Sequence, residues 1–189
     1  WITFHQNGDV AIYPMFAENR RRERREDILD KVEAEGFDIE NVYDYTDAEK
    51  ENIFLEGTGA MVLDRVNRKA YCALSPRADE ELFIEFCEDF EYTPVIFKAY
   101  QQVGNEQLPI YHTNVMMALG VDFAVVCLDT ITDKSERKNL LHHLKKDKKE
   151  VINITPKQME QYAGNMLQVQ GKESTYLVMS DAAYNSLTS

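Results

Sequence analysis

Cysteine is scarce in this sequence, and long apolar runs are absent. Its 189 residues include three cysteines, Cys72, Cys87 and Cys127, with no Cys-x-x-Cys pair. An odd count without such a pair predicts neither a disulfide framework nor a zinc site. No apolar run approaches the ~18 residues of a membrane span, and no signal-peptide pattern opens the chain. These absences predict a cytoplasmic protein with reduced thiols, no metal and no membrane span.

Basic residues are also few relative to acidic ones. The chain has 21 Lys and Arg against 33 Asp and Glu, a formal net charge of −12. Such a charge argues against nucleic acid or an anionic membrane as the main partner. Hydrophobic residues make up 44% of the chain, with nine Phe and ten Tyr. That content is enough for a sizeable core, in one ordinary domain or part of a larger one.

A hairpin pattern recurs along the chain, and it sets the predicted architecture. Two short apolar runs flank a turn near Ile2, Ala60, Val115 and Met166, at spacings of about 50–58 residues. Three of these hairpins precede a helix pattern and then a single strand. Each unit is too small to hold a core alone, so the units are expected to pack on one another. We predict an α/β fold in which ββαβ units form a ring, with functional residues near its axis.

The remaining elements follow from apolar spacing and turn residues. Helices are predicted over 19–36, 79–90 and 133–146, and the strands that follow them over 42–45, 94–97 and 151–154. Ser180 is expected to cap a final helix. The chain has no initiator Met, and Trp1 begins inside a predicted strand. We therefore expect a single partial domain over 1–189, truncated at both ends.

One carboxylate stands out within the apolar stretch 53–63. Glu56 leads into Gly-Thr-Gly, and a strand is predicted to follow at 60–63. Glycine-rich phosphate loops open a helix instead, so these glycines indicate a tight turn or the close approach of a ligand. A desolvated carboxylate has a raised pKa unless it has a partner. A structural role for Glu56 is equally compatible with the sequence.

His112 occupies the matching place before the next hairpin. A single His in an apolar stretch is more often a core residue than a functional one. Matching positions in successive units, however, would bring His112 and Glu56 to a common axis. A His held by a carboxylate suits general acid–base work, and we predict this pair to be the catalytic centre.

Two arginines also recur in matching places, Arg20 after the first hairpin and Arg77 after the second. Two guanidinium groups of this kind can clamp a substrate carboxylate. For Arg20 the alternative is a solvated helix face, because it opens a run of charges. The other histidines are interpreted as surface residues, and the cysteines as inert core thiols. These histidines are His5, His142 and His143.

Several motifs together resemble the guanidino-group-modifying, or pentein, superfamily. They are Phe-Leu-Glu-Gly-Thr-Gly (54–59), Leu-Ser-Pro-Arg (74–77), Tyr-His-Thr-Asn-Val-Met-Met (111–117), Ala-Gly-Asn-Met-Leu (163–167), and Tyr-Pro-Met (13–15) followed by Asn-Arg-Arg (19–21). The superfamily includes arginine deiminases, dimethylarginine hydrolases and glycine amidinotransferases. The likeness is greatest to its amidinotransferase branch, which includes citrulline-utilisation hydrolases. The resemblance implies a five-bladed α/β propeller of ββαβ repeats, of which this chain would hold about three and a half.

The resemblance also implies a mechanism without metal or organic cofactor. A Cys thiolate attacks the substrate, a His acts as acid and base, and a Glu binds substrate nitrogen and supports the His. Glu56 and His112 match the last two, while Arg20 and Arg77 match the arginines that hold the substrate carboxylate. The superfamily's nucleophile lies close to the C-terminus, beyond this chain. The fragment alone is therefore expected to be inactive.

Asn114 departs from the deiminase pattern, which has an Asp that grips the cationic guanidinium. A ureido group is neutral and presents both C=O and N–H, and Asn offers a donor and an acceptor to match. An Asp facing the ureido oxygen would leave buried acceptors unpaired, at roughly 1–3 kcal/mol. Asn114 therefore predicts a citrulline-like substrate in preference to arginine.

Two other functions stay open at this point. The same propeller serves as a ribosome-binding translation factor, so the fold alone does not establish an enzyme. Amidino transfer to an amine differs from hydrolysis only in the acceptor. The expected partner is a small amino-acid substrate, and homo-oligomerisation is left open.

Overall fold

The computed structural model describes residues 1–25 and 27–188. The first unit comprises β1 (Ile2–Phe4), β2 (Asp9–Ile12), α1 (Glu18–Arg21), α2 (Asp27–Ala34) and β3 (Asn41–Asp44). Strand β2 pairs antiparallel with β1 and parallel with β3. Glu26, within the helix predicted over 19–36, and the terminal Ser189 lie outside the described residues.

The single helix predicted over 19–36 is wrong, because the structure has two short helices there. Arg24, in the connection between them, forms an ion pair with Glu49. Arg21, at the end of α1, donates from Nε to the Met15 carbonyl at 2.9 Å. These tertiary contacts hold the connection, and like charges four residues apart, such as Arg20 and Arg24, disfavour a continuous helix.

A 3₁₀ turn (Thr46–Glu51) leads into the second unit. This unit comprises α3 (Gly57–Ala60), β4 (Met61–Asp64), β5 (Lys69–Ala73), α4 (Glu80–Asp89) and β6 (Thr93–Phe97). The Asp79 carboxylate caps α4 by accepting from the Leu82 amide at 3.1 Å. The apolar face predicted for α4 is confirmed, since Leu82, Phe83 and Phe86 are buried.

The third unit follows an additional hairpin that was not predicted from the sequence. This hairpin comprises β7 (Tyr100–Val103) and β8 (Glu106–Pro109). Its turn holds Gly104 at φ +60, and Gly104-Asn105 is a two-residue signal of a hairpin turn. The third unit itself comprises a 3₁₀ turn (Thr113–Val115), β9 (Met117–Leu119), β10 (Phe123–Val126), α5 (Lys134–Lys146) and β11 (Glu150–Asn153).

The last elements are α6 (Pro156–Glu160), β12 (Leu167–Gln170), β13 (Thr175–Val178) and α7 (Asp181–Thr188). Helix α6 was also missed, although Thr155 and Gln158 form a capping box with Pro at the first helical turn. The predicted cap of α7 is confirmed, because Ser180 Oγ accepts from the Ala183 amide at 3.2 Å.

The first three units share one topology: an antiparallel hairpin, a helix, and a strand parallel to the second hairpin strand. Strand β9 contacts β4 on one side and β12 on the other, so successive units meet through their first strands. The mixed α/β fold is therefore confirmed. The described strands form five separate small sheets rather than a closed ring, so five-bladed closure and the number of repeats stay predictions. Within residues 1–25 and 27–188, no helix has the length and apolar character needed to cross a bilayer.

Candidate active site

Glu56 is a buried carboxylate with a partner on each oxygen. It immediately precedes α3 and is 4% exposed. Its Oε1 accepts from the Phe16 amide at 2.9 Å. Its Oε2 lies 2.5 Å from His112 Nε2 and 3.5 Å from Arg77 Nη1. The structure thus brings Glu56, His112 and Arg77 together from two successive units.

These partners decide the charge of Glu56. Burial alone would raise the pKa of this carboxyl group. The hydrogen bonds from His112 and the Phe16 amide, with the positive charges of His112 and Arg77, outweigh burial and lower the pKa below its ordinary value of 4.5. Glu56 is therefore an ionised acceptor for the imidazole at neutral pH.

The Gly-Thr-Gly segment places the His112 ring. It forms the single helical turn α3 rather than leading directly into a strand, so the strand predicted from residue 60 begins at Met61. Gly57 has φ +54, a left-handed conformation that favours glycine. A Cβ on Gly59 would lie 3.0 Å from His112 Nδ1. The group that approaches Gly59 closely is thus the His112 imidazole, whereas Gly57 lies against the ring of Tyr13.

Thr113 fixes the segment that carries His112. Its side chain is fully buried, and its hydroxyl accepts from the Ala73 amide at 2.7 Å. The same hydroxyl donates to the carbonyl of Ala60. Since Ala60 ends the turn that follows Glu56, one hydroxyl connects the segments of both Glu56 and His112.

Arg77 is held by both its backbone and its side chain. Its carbonyl accepts from the Glu56 amide at 3.1 Å. Its guanidinium lies 5.6 Å from the ring centre of Phe16 and 5.2 Å from that of Tyr111. Ser75 Oγ accepts from the Arg77 amide at 3.1 Å and donates to the Tyr111 carbonyl at 2.9 Å. Arg77 therefore supports the Glu56–His112 pair directly.

Arg20 does not join this cluster in the structure. It lies on α1 with its side chain 38% exposed, and its guanidinium donates twice to Glu23, each time at 3.2 Å. Glu23 thus occupies the guanidinium of Arg20 in this structure, and the carboxylate clamp of two arginines stays a prediction.

The loop that supplies the Phe16 amide has its own support, which the sequence analysis missed. Glu49 accepts from the Met15 amide at 2.7 Å and binds Arg24 through both of its oxygens. Two neighbouring amides of one loop are therefore held by two carboxylates, Glu49 and Glu56. No sequence signal joins residues so far apart in the chain.

Two cavities adjoin each other near the Glu56–His112 pair, and His112 lines the smaller one. The larger, about 410 Å³, is lined by residues of β4, β9 and β12. The smaller, about 350 Å³, is lined by His112, Asn114, Tyr111, Glu160 and Tyr162 among others. Asn114 and Asn165 line both cavities. Each volume falls in the range of small-ligand sites. Asn114 is therefore placed to contact a ligand that binds beside His112.

The cysteines lie in the core, as predicted. Cys72, Cys87 and Cys127 are free and buried. Burial raises the pKa of all three thiols, to about 12 for Cys87 and about 11 for Cys127. Thiols of this kind are inert at neutral pH, since the thiolate is the nucleophilic form.

The prediction that His5 is a surface residue is wrong. It is 5% exposed, and its ring stacks on Phe90 with centroids 4.2 Å apart. Thr3 Oγ1 lies 3.2 Å from Nε2, and Arg65 Nη1 lies 3.3 Å from Nδ1. His142 is exposed, as predicted, and His143 is half-buried.

The chain is similar to proteins that act on guanidino groups. The sequence model of one family, "N,N dimethylarginine dimethylhydrolase, eukaryotic", matches residues 1–189. A comparison with curated protein sequences finds no match.

Solved structures show the same fold at low identity. ArgZ without ligand, an arginine dihydrolase from the ornithine-ammonia cycle in cyanobacteria, has a TM-score of 0.63 at 15% identity over 88% of this chain and 24% of its own. The product-bound N-terminal domain of ArgZ has a TM-score of 0.62 at 14% identity over 96% of this chain and 60% of its own. Unliganded AgrE has a TM-score of 0.65 at 17% identity over 96% of this chain and 24% of its own. This chain thus spans less than two thirds of each.

Proposed function

Because this chain belongs to the eukaryotic N,N-dimethylarginine dimethylhydrolase family, we propose that the full-length protein is an enzyme acting on a planar C–N group. The group is the guanidino or ureido end of an arginine-related amino acid. The membership also bears out the resemblance to the guanidino-group-modifying superfamily drawn from the motifs.

The contact between Glu56 and His112 carries this proposal. The imidazole lies 2.5 Å from an ionised carboxylate and is 12% exposed. It lines a cavity of about 350 Å³. In the proposed mechanism a thiolate attacks the central carbon and His112 protonates the departing amine. His112 then activates water to release the product, while Glu56 orients the reacting nitrogen and the imidazole.

The nucleophile is proposed to come from a cysteine outside residues 1–189. Cys72, Cys87 and Cys127 are buried with raised pKa values, and none of them lines the cavity beside His112. In this proposal residues 1–189 are part of a larger domain, and the complete domain is a five-bladed propeller. The buried thiols fit a reducing compartment, and the proposed location is the cytoplasm.

Substrate recognition is proposed to involve Asn114, Arg77 and Arg20. Asn114 lines the cavity beside His112 and offers both a donor and an acceptor to a neutral ureido group, which supports the citrulline-like preference. Arg77 keeps donors beyond the one that faces Glu56, and these suit a substrate carboxylate. Arg20 is proposed to bind the same substrate carboxylate, and its guanidinium must release Glu23 to do so.

The experiment is a set of turnover assays on the full-length protein. L-citrulline, L-arginine and N,N-dimethylarginine are supplied separately, and the amine released is measured with and without an added amine acceptor. We expect amine release, fastest with citrulline, and its loss in His112→Ala. Amidino transfer would appear as turnover that needs the acceptor. A folded protein that turns over none of these would favour the non-catalytic binding role.

A further inference from the structure

Three successive units place one residue at the same point of the backbone. Glu56, His112 and Tyr162 each lie five positions before the first strand of a hairpin: 56 before 61, 112 before 117 and 162 before 167. In each case the carbonyl accepts a hydrogen bond from the amide three residues on, at 3.3, 3.1 and 2.9 Å respectively. Tyr162 thus has the same place relative to its hairpin as the two proposed catalytic residues, although its backbone is left-handed and theirs is not.

Tyr162 also lines the cavity beside His112. It lines the cavity of about 350 Å³ together with His112 and Asn114. The residue is 63% exposed. Among residues 1–25 and 27–188, its hydroxyl has no hydrogen-bond partner. The aromatic side chain is therefore not needed to fill the described core.

Tyr162 has a left-handed backbone conformation, which costs free energy for a residue with a bulky side chain. Tyr162 follows the end of α6 with φ +66, the left-handed position where glycine is favoured. Helices α4 and α5 end in the same way, with Glu91 at φ 54 and Lys148 at φ 58. These residues provide internal references, because they have the same backbone without lining the cavity beside His112.

We propose that Tyr162 is a substrate-contacting residue, whose ring forms one wall of the site that holds the planar guanidino or ureido group. This inference rests on the proposed function. Planar, delocalised C–N groups pack favourably on aromatic faces. Because Tyr162 lines the same cavity as His112 and Asn114, its ring would lie beside the reacting end of a substrate bound there. Because the hydroxyl makes no hydrogen bond within the described residues, we assign the substrate contact to the aromatic ring.

The test measures binding of L-citrulline and L-arginine to the full-length protein by calorimetry. Tyr162→Phe keeps the ring and should leave the dissociation constant within about twofold. Tyr162→Leu and Tyr162→Gly should weaken binding by about tenfold. Tyr162→Gly should also raise the melting temperature, because glycine relieves the left-handed backbone.

Two matched variants separate contact from folding. Lys148→Gly should raise the melting temperature without changing binding. Tyr184→Leu removes another exposed aromatic ring, 59% exposed, and should leave binding unchanged. Binding by Tyr162→Leu equal to wild type would overturn the inference and spare the proposed function. Loss in Tyr162→Phe as large as in Tyr162→Leu would overturn the ring contact. A wild-type protein that binds neither amino acid would overturn both.

Discussion

The ammonium group of Lys149 lies 3.1 Å from the carboxylate of Asp64, and each side chain is only 2% exposed. Lys149 also donates to the carbonyls of Gly120 and Val121, at 3.0 and 2.7 Å. A second buried pair, Lys69 with Asp147 at 2.6 Å, crosses the same boundary with the charges exchanged. The unit of Glu56 is therefore bound to the unit of His112 by two reciprocal ion pairs.

Breaking the Asp64–Lys149 pair should destabilise the fold strongly. Asp64→Asn leaves a buried ammonium without its counter-ion, at an expected cost of about 3–5 kcal/mol in the free energy of unfolding. The exposed pair Asp47–Lys50 is the control, with side chains 86% and 74% exposed. Asp47→Asn should cost less than about 1 kcal/mol. Urea unfolding measures both, and equal losses would contradict the importance of burial.

Removing either member of the catalytic pair should lower turnover more than binding. His112→Ala removes the acid–base group, which is worth about 10²–10⁴-fold in rate. Glu56→Gln keeps the shape but removes the charge that orients the imidazole, so kcat should fall with KM nearly unchanged. Glu85→Gln changes an exposed carboxylate on α4 and serves as the control. Unchanged kcat in Glu56→Gln would refute the proposed role.

The substitution Asn114→Asp should change substrate preference. An ionised Asp accepts hydrogen bonds from a cationic guanidinium, but it has no donor for the ureido oxygen of citrulline. The kcat/KM ratio of arginine to citrulline should therefore rise by about tenfold or more. Turnover of both amino acids by wild type and variant gives this ratio. If it stays constant, Asn114 does not contact the reacting group.

The Thr113 hydroxyl should control the Glu56–His112 geometry. Thr113→Val removes the hydrogen bonds to Ala73 and Ala60, so the contact should loosen and the pKa of Glu56 should rise toward its ordinary 4.5. Carbon-13 titration of the Glu56 carboxyl measures this pKa, and kcat should fall in parallel.

Two further variants distinguish positioning from general stability. Thr113→Ser retains the hydroxyl and should restore both the Glu56 pKa and kcat. Thr130 is a buried threonine whose hydroxyl donates to the Cys127 carbonyl at 2.7 Å, not to the segments of Glu56 or His112. Thr130→Val should lower stability without altering the Glu56 titration. A shift in Thr130→Val as large as in Thr113→Val would contradict a specific role for Thr113.

Acidification should destabilise the protein through His5. The guanidinium of Arg65 can only donate, so Nδ1 of His5 accepts its hydrogen bond and Nε2 carries the ring proton. A second proton would have to bind Nδ1, directly against the positive charge of Arg65. Burial, then the charges of Arg65 and Arg68, lowers the pKa of His5 from 6.5 to about 4. The unfolded chain therefore takes up a proton first, and stability present above pH 6.5 is lost as pH falls toward 4.

The loss from His5 should be about 2 kcal/mol between pH 7 and pH 5. Urea unfolding at the two pH values measures it. His5→Gln cannot titrate, so its free energy of unfolding should change less over the same interval. An equal pH dependence in wild type and His5→Gln would exclude His5 as the source.

The period of the hairpins made the proximity of Glu56 and His112 predictable from sequence. Equivalent positions in neighbouring units share a backbone geometry, so matching places along the chain become neighbouring places in space. Helix α4 was predictable for a local reason, since Asp79 caps it and its apolar residues have helical spacing. Local propensity and the repeat agree in these segments.

Tertiary contacts between distant residues explain two of the wrong predictions. The helix over 19–36 breaks where Arg24 binds Glu49, 25 residues away. His5 is buried because its ring stacks on Phe90. Residue type and spacing do not encode such distant pairings. Arg20 differs, because its partner Glu23 is only three residues away, a spacing at which opposite charges on a helix pair.

Because Cys72, Cys87 and Cys127 are buried, thiol labelling can report two separate properties: the opening of the fold and the presence of a reactive cysteine elsewhere in the full-length protein. Within residues 1–189 of the native protein, these sulfhydryls should resist alkylation and become modified only as the fold opens. A sulfhydryl of the full-length protein that reacts within seconds would then lie elsewhere in its sequence. Mass mapping of a single adduct would locate it, and protection of that adduct by citrulline would tie it to the pocket beside His112.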